Sequence, residues 1–252
     1  MSVFTPIFIA TIPILMGTAF AGKNAAVVFE ENTGVSGSYQ GYMLVGALLF
    51  QLVSNTLWNF SFWLRREQMT GTLESGVYLV PTSKFWLILG SSLYVLVRNS
   101  VSFILALFLG IFIFSIQLTE FLSVTIFIAI FSLILGLPPL IGLALLVGSF
   151  ILKFKEVGSF INLLNWIISF LMGVFFPITL FPAGLKIIAY LFPPTWTTNE
   201  IRNALYGVEG FIGLWEDFIV SFGFALIVPL IAFYLFYRTE NSILSNQGVG
   251  QY

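Results

Sequence analysis

FLSVTIFIAIFSLILGLPPLIGLALLVGSFIL, residues 121–152, contains no charged side chain. A bilayer core about 30 Å thick is crossed by about 20 apolar residues in a helix. The stretch is therefore long enough to span a membrane and too long to cross it straight. Pro138 and Pro139 lie inside it. Each proline removes a backbone donor and crowds the carbonyl one turn back, so the sequence predicts a bend or break there. The surrounding chain has the same character: 58% of its 252 residues are hydrophobic and 8% charged, with a mean hydropathy of +1.00. A soluble domain carries about a quarter charged residues. So few charges cannot cover a water-soluble globule, and the bilayer must be the solvent. The fold class is an all-α membrane protein.

Working outward from residues 121–152, the same criterion predicts six spans in a single transmembrane domain covering 1–252: about 3–21, 41–64, 96–116, 121–152, 158–178 and 215–237. The apolar stretch between Phe181 and Phe192 is bracketed by Pro182 and by Pro193-Pro194. Its length suits a re-entrant or interfacial helix better than a span. Orientation follows the excess of Lys and Arg on the cytoplasmic side. Placing the 65–95 and 153–157 loops and the C-terminus inside puts seven of the ten basic residues there: Arg65, Arg66, Lys84, Arg98, Lys153, Lys155 and Arg238. Both termini are then cytoplasmic in a multi-pass protein of the plasma membrane, and Arg98, at the start of the third span, snorkels to the interface. Ala19-Phe20-Ala21 imitates a signal-peptidase site, but MSVFTP lacks a basic n-region, and the reading favours an uncleaved span.

Several chemistries are excluded at once. The chain has no Cys and no His, which removes disulfides, thiol catalysis, zinc sites and imidazole acid–base chemistry. A net charge of −1 offers no basic surface for nucleic acid. GTAFAGKN, residues 17–24, misses the phosphate-loop pattern by one residue. That loop needs a strand before it, a helix after it and a hydroxyl for magnesium. Here the glycines end a span and Asn24 replaces the hydroxyl, so no nucleotide site is expected on this chain.

RREQMTGTLESGVYLVPTSK, residues 65–84, concentrates five charged residues into a cytoplasmic segment. It begins with helix-forming RREQM, continues through apolar Leu73, Val77 and Val80 at steps of four and three, and stops at Pro81. Such a piece suits a helix that rests one face on a membrane or partner and shows Glu67 and Glu74 to the cytoplasm. An ordinary loop of positive-inside charge is the plainer reading.

The arrangement resembles the type-2 exporter permeases of the ABC transporters. Their signature after the second span reads here as Glu67, Gly71, Thr72, Leu73, Glu74 and Pro81. Tyr39-Gln40-Gly41-Tyr42 followed by Gly46 is similar to the family's entry into the second span. Gly173-Val174-Phe175-Phe176-Pro177, Leu180-Phe181-Pro182, Pro193-Pro194 and Arg202-Asn203-Ala204-Leu205 resemble its fifth span and outer re-entrant hairpin, here about 179–206. The likeness covers roughly residues 7–236. It implies a cytoplasmic coupling helix at about 65–81 that sits on a separate ATP-binding subunit, which holds ATP and magnesium. It also implies a second permease subunit, identical or related, and no catalysis by this chain. The family's amphipathic helix before the first span has no counterpart here; either this member lacks it or the sequence begins late.

For a substrate pathway, the second span offers a polar stripe of Gln51, Asn55 and Asn59 at steps of four, and the fifth offers Asn162 and Asn165 with Ser169 nearby. Buried amides commonly join helices. The alternative is that Asn55, Asn59, Asn162 and Asn165 line a pathway where the family's second and fifth spans meet. Trp58 and Phe62 interleave with the stripe. Phe175 and Phe176, near the outer end of the fifth span, suit an apolar gate, although aromatics facing lipid are commoner.

The expected function is a permease moving a hydrophobic or amphipathic substrate, such as a drug, antibiotic or lipid, outward by alternating access. Lipid-linked glycan export is the nearest alternative. A channel or ion-coupled carrier without an ATPase is the competing class, and the absence of charge from the predicted span interiors speaks against ion coupling.

Overall fold

The computed structural model describes residues 3–33, 38–70, 84–117, 125–151, 157–175 and 177–247. Among them every regular element is helical. Helix α1 (Thr5–Ala21) passes through a 3-10 turn at Gly22–Asn24 into α2 (Ala25–Thr33), and the two axes meet at 96°. There follow α3 (Tyr39–Met69), α4 (Lys84–Ile113), α5 (Thr125–Ile151), α6 (Val157–Leu171), a 3-10 turn at Ile178–Leu180, α7 (Ala183–Tyr190), α8 (Pro193–Tyr206) and α9 (Leu214–Gln247).

By length and composition, α3, α4, α5 and α9 can each cross a bilayer, and α1 with α2 adds a fifth if the bent pair is one broken span. The fifth predicted span, 158–178, corresponds to α6, which has 15 residues and is about 22 Å long at 1.5 Å per residue. It ends at Leu171 because the chain turns at Gly173, whose φ is +60°, a value glycine adopts without steric cost. Residues 179–206 hold the two short helices α7 and α8.

Two expectations change. Helix α4 starts at Lys84 rather than near residue 96, since nothing between them breaks a helix. Arg98 therefore sits about 21 Å along α4 rather than in its first turn. Helix α5 runs through Pro138 and Pro139 as a single helix of 27 residues, so of the predicted bend or break, the break does not occur. Packing on α9, α8 and α3 holds it. A Cβ on Gly142 would meet the backbone nitrogen of Pro229 in α9 at 2.9 Å, so these two helices touch backbone to backbone, as small residues allow in membranes.

Helix α3 is the centre of the bundle. Of its most apolar window, 72% is buried, against 28% for α4 and α5 and 11% for α9. It is also the least hydropathic of the four. The most polar span is thus shielded from lipid by α1, α4, α5, α6 and α8, as the cost of bare polar groups in hydrocarbon requires. Outward-facing Phe112, Ile219 and Leu230 are exposed, which suits contact with lipid.

Candidate functional site

The amides of α3 form a connected row. Gln51 Nε2 donates to Asn55 Oδ1 at 2.7 Å, and Asn59 Nδ2 donates to the Asn55 carbonyl, also at 2.7 Å. From there the contacts pass to α4: Arg98 Nη2 donates to Asn59 Oδ1 at 2.5 Å, and Asn99 Nδ2 donates to Thr56 Oγ1 at 3.2 Å. On the other side, Ser54 Oγ donates to Asn165 Oδ1 of α6 at 3.0 Å. Helix α3 is therefore a floor, with α4 and α6 as walls. On the arc between them lie Asn55, Trp58 and Phe62; the last two rings stack, 4.8 Å between centroids and 10° between planes.

The predicted pathway residues separate into distinct roles. Asn165 and Asn59 tie helices together, whereas Asn55 is half-buried and Asn162 is exposed. Phe175 does not join them. It lines an apolar cavity of about 620 Å³ at the Tyr39 end of α3, with Ile12, Met16, Phe29 and Met43 among its other walls. Met43 and Asn55 are about 18 Å apart along the helix. Phe176 lies outside the described residues, as do Gly71, Thr72, Leu73, Glu74 and Pro81. Glu67 lies in the last turns of α3, because RREQM continues that helix instead of opening a new one.

A residue whose role the sequence did not show lies at the Tyr39 end. Arg202 of α8 is 3% exposed. Its Nη1 donates to the Gly173 carbonyl at 2.7 Å, and its Nη2 to those of Val174 and Tyr42 at 3.0 and 3.3 Å. Its Cζ stands 3.8 Å from the Tyr42 ring centroid, a cation–π contact. Gly46 makes the room: a Cβ there would fall 2.0 Å from Arg202 Nη2. Three stretches far apart in sequence, around Tyr42, Gly173 and Arg202, thus meet at one guanidinium. Beyond it, α8 is fastened to α9. Asp217 accepts from the Phe211 and Ile212 amides at 2.9 and 3.1 Å, and the Ser221 hydroxyl donates to buried Glu200.

These features define a helical membrane protein built around one polar central span. Residues 16–234 match the family described as ABC-2 family transporter protein, and the chain belongs to that family. It is a membrane component of transport, not itself catalytic. No curated protein matches the chain.

Proposed function

We propose that the chain is the permease subunit of an ATP-driven exporter. A second permease subunit pairs with it, and a separate ATP-binding subunit docks at the Met69 end of α3. That end faces the cytoplasm of a plasma-membrane protein whose termini are both inside. ATP and magnesium belong to the partner. The observation that carries the reading is α3 itself. It is one helix of 31 residues, about 46 Å long, running past the thickness of a bilayer core and ending two residues before Gly71-Thr72-Leu73-Glu74. Force that reaches the Met69 end is carried to the amide row along one continuous helix. Residues 179–206 form the re-entrant hairpin on the outer side. The substrate is a hydrophobic or amphipathic molecule, a drug, antibiotic or lipid, which suits the apolar cavity beside Phe175 and the Trp58–Phe62 stack. A lipid-linked glycan is the alternative cargo.

The test is to express the chain with the ATPase encoded beside it and purify the pair in mild detergent. Glu74→Lys and Gly71→Pro should each weaken assembly or lower coupled ATP hydrolysis several-fold. Full assembly and activity in both variants would remove the coupling role. Glu200 favours a second reading, an ion-coupled carrier, because it is a buried carboxyl with one oxygen lacking a hydrogen-bond partner. Transport that persists without ATP and vanishes in Glu200→Gln would select that reading.

A further inference from the structure

Between α3 and α4, at the Met69 end, lies a cavity of about 550 Å³. Its wall combines Arg66 and Arg98 with Asn59, Ser91 and the rings of Trp63 and Tyr94. Among the described residues no acidic side chain lines it. Arg98 is half-buried. Its Nη2 is held by Asn59, its Cζ lies 5.9 Å from the Tyr94 ring centroid, and its Nε is buried with no partner. An amide oxygen satisfies one donor but does not neutralise the charge, and an uncompensated cation within a span is costly. Arg66 is exposed and stands two turns nearer the helix end than Asn59, about 10 Å away along α3. Two like charges around an open space attract an anion. Guanidinium groups bind phosphate through paired N–H donors. Beside the cavity, Tyr94, Val97 and Val101 are all exposed and follow one another on one face of α4 at steps of three and four.

We infer that this cavity binds the phosphate of an anionic amphiphile. Arg98 grips the phosphate from within the span and Arg66 from the mouth, while the hydrocarbon lies along Tyr94, Val97 and Val101. The inference rests on α3 and α4 lying in a bilayer and does not depend on export or on an ATPase partner. A role for Arg98 solely as a clip to Asn59 is the competing account, and the two differ in lipid selectivity.

The full chain is purified from mixed micelles holding equimolar phosphatidylglycerol and phosphatidylcholine, and the retained lipid is quantified after gel filtration. The wild type should retain the anionic lipid at least about tenfold over the zwitterionic one, the worth of a charge-assisted hydrogen bond. Arg98→Gln should bring the ratio near one. Arg66→Gln should lower it about fivefold, as expected of one basic side chain near a membrane surface. Millimolar glycerol phosphate separates the sources. If it fails to compete, the ligand is a membrane lipid; if it competes, the ligand is a soluble phosphate compound held by the same arginines. No preference in the wild type, or an undiminished preference in Arg98→Gln, overturns the site. Should Arg98→Gln aggregate, an unchanged ratio in Arg66→Gln overturns it instead.

Discussion

Arg202 carries a full charge into the bundle and meets it with three carbonyl dipoles and a tyrosine face rather than a carboxylate. Removing it leaves the Gly173 and Val174 carbonyls short of donors, at about 1–3 kcal/mol for each buried group. Arg202→Met should therefore lower the detergent melting temperature clearly, in line with a loss on the order of 3 kcal/mol. Gly46→Ala should do the same while keeping the arginine, because its Cβ would occupy the space of Nη2. Arg202→Lys should recover only part of the loss, since an ammonium lacks the planar fork. If Gly46→Ala melts like the wild type, the guanidinium does not need that space. The sequence showed Gly46, Gly173 and Arg202 as members of three motifs, but their shared reason was hidden. It appears only when residues 160 positions apart, Tyr42 and Arg202, come into contact. The start of α4 was hidden for a simpler cause: the apolar pattern begins near residue 96, whereas the helix begins at Lys84.

At the scale of elements, the length of the apolar run locates α3, 41–64 against an observed Tyr39–Met69, and the helix continues through 65–69, where the sequence places the start of the coupling helix. At α5, packing against α9, α8 and α3 keeps one helix running through two prolines, so the chain does not break there. The value of an unbroken α3 is open to test. Paired glycines at Glu67 and Gln68 weaken the helix by about 1 kcal/mol each, whereas paired alanines strengthen it. In the assembled complex, the glycine pair should cut substrate-stimulated ATP hydrolysis several-fold and the alanine pair should leave it near wild type. Equal effects from both pairs would mean that helix continuity transmits nothing. The two amides of α6 differ in setting: Asn165 bonds Ser54 of α3, and Asn162 is exposed. Asn165→Leu breaks the contact with Ser54 and should destabilise by roughly 0.6 kcal/mol, the average for such bonds. Exposed Asn162→Leu should leave melting unchanged while altering substrate-stimulated hydrolysis. If both change melting alone, the amides serve only to join helices.

On the scale of the whole molecule, the central claim is that the Met69 end of α3 leads into the face that receives an ATPase. The chain contains no cysteine, so single reporters can be introduced without background. Glu74→Cys and Glu209→Cys place one thiol at each expected side of the membrane. Each variant is co-expressed with the adjacent ATP-binding subunit and treated in intact cells, first with a membrane-impermeant maleimide and then with a thiol–amine cross-linker. The account predicts that Cys at 74 resists the external maleimide, cross-links to the ATPase, and changes its cross-linking yield when ATP is bound. Cys at 209 should label from outside and form no such link. A thiol at 74 that labels from outside, or that fails to cross-link while the two subunits still co-purify, would contradict it.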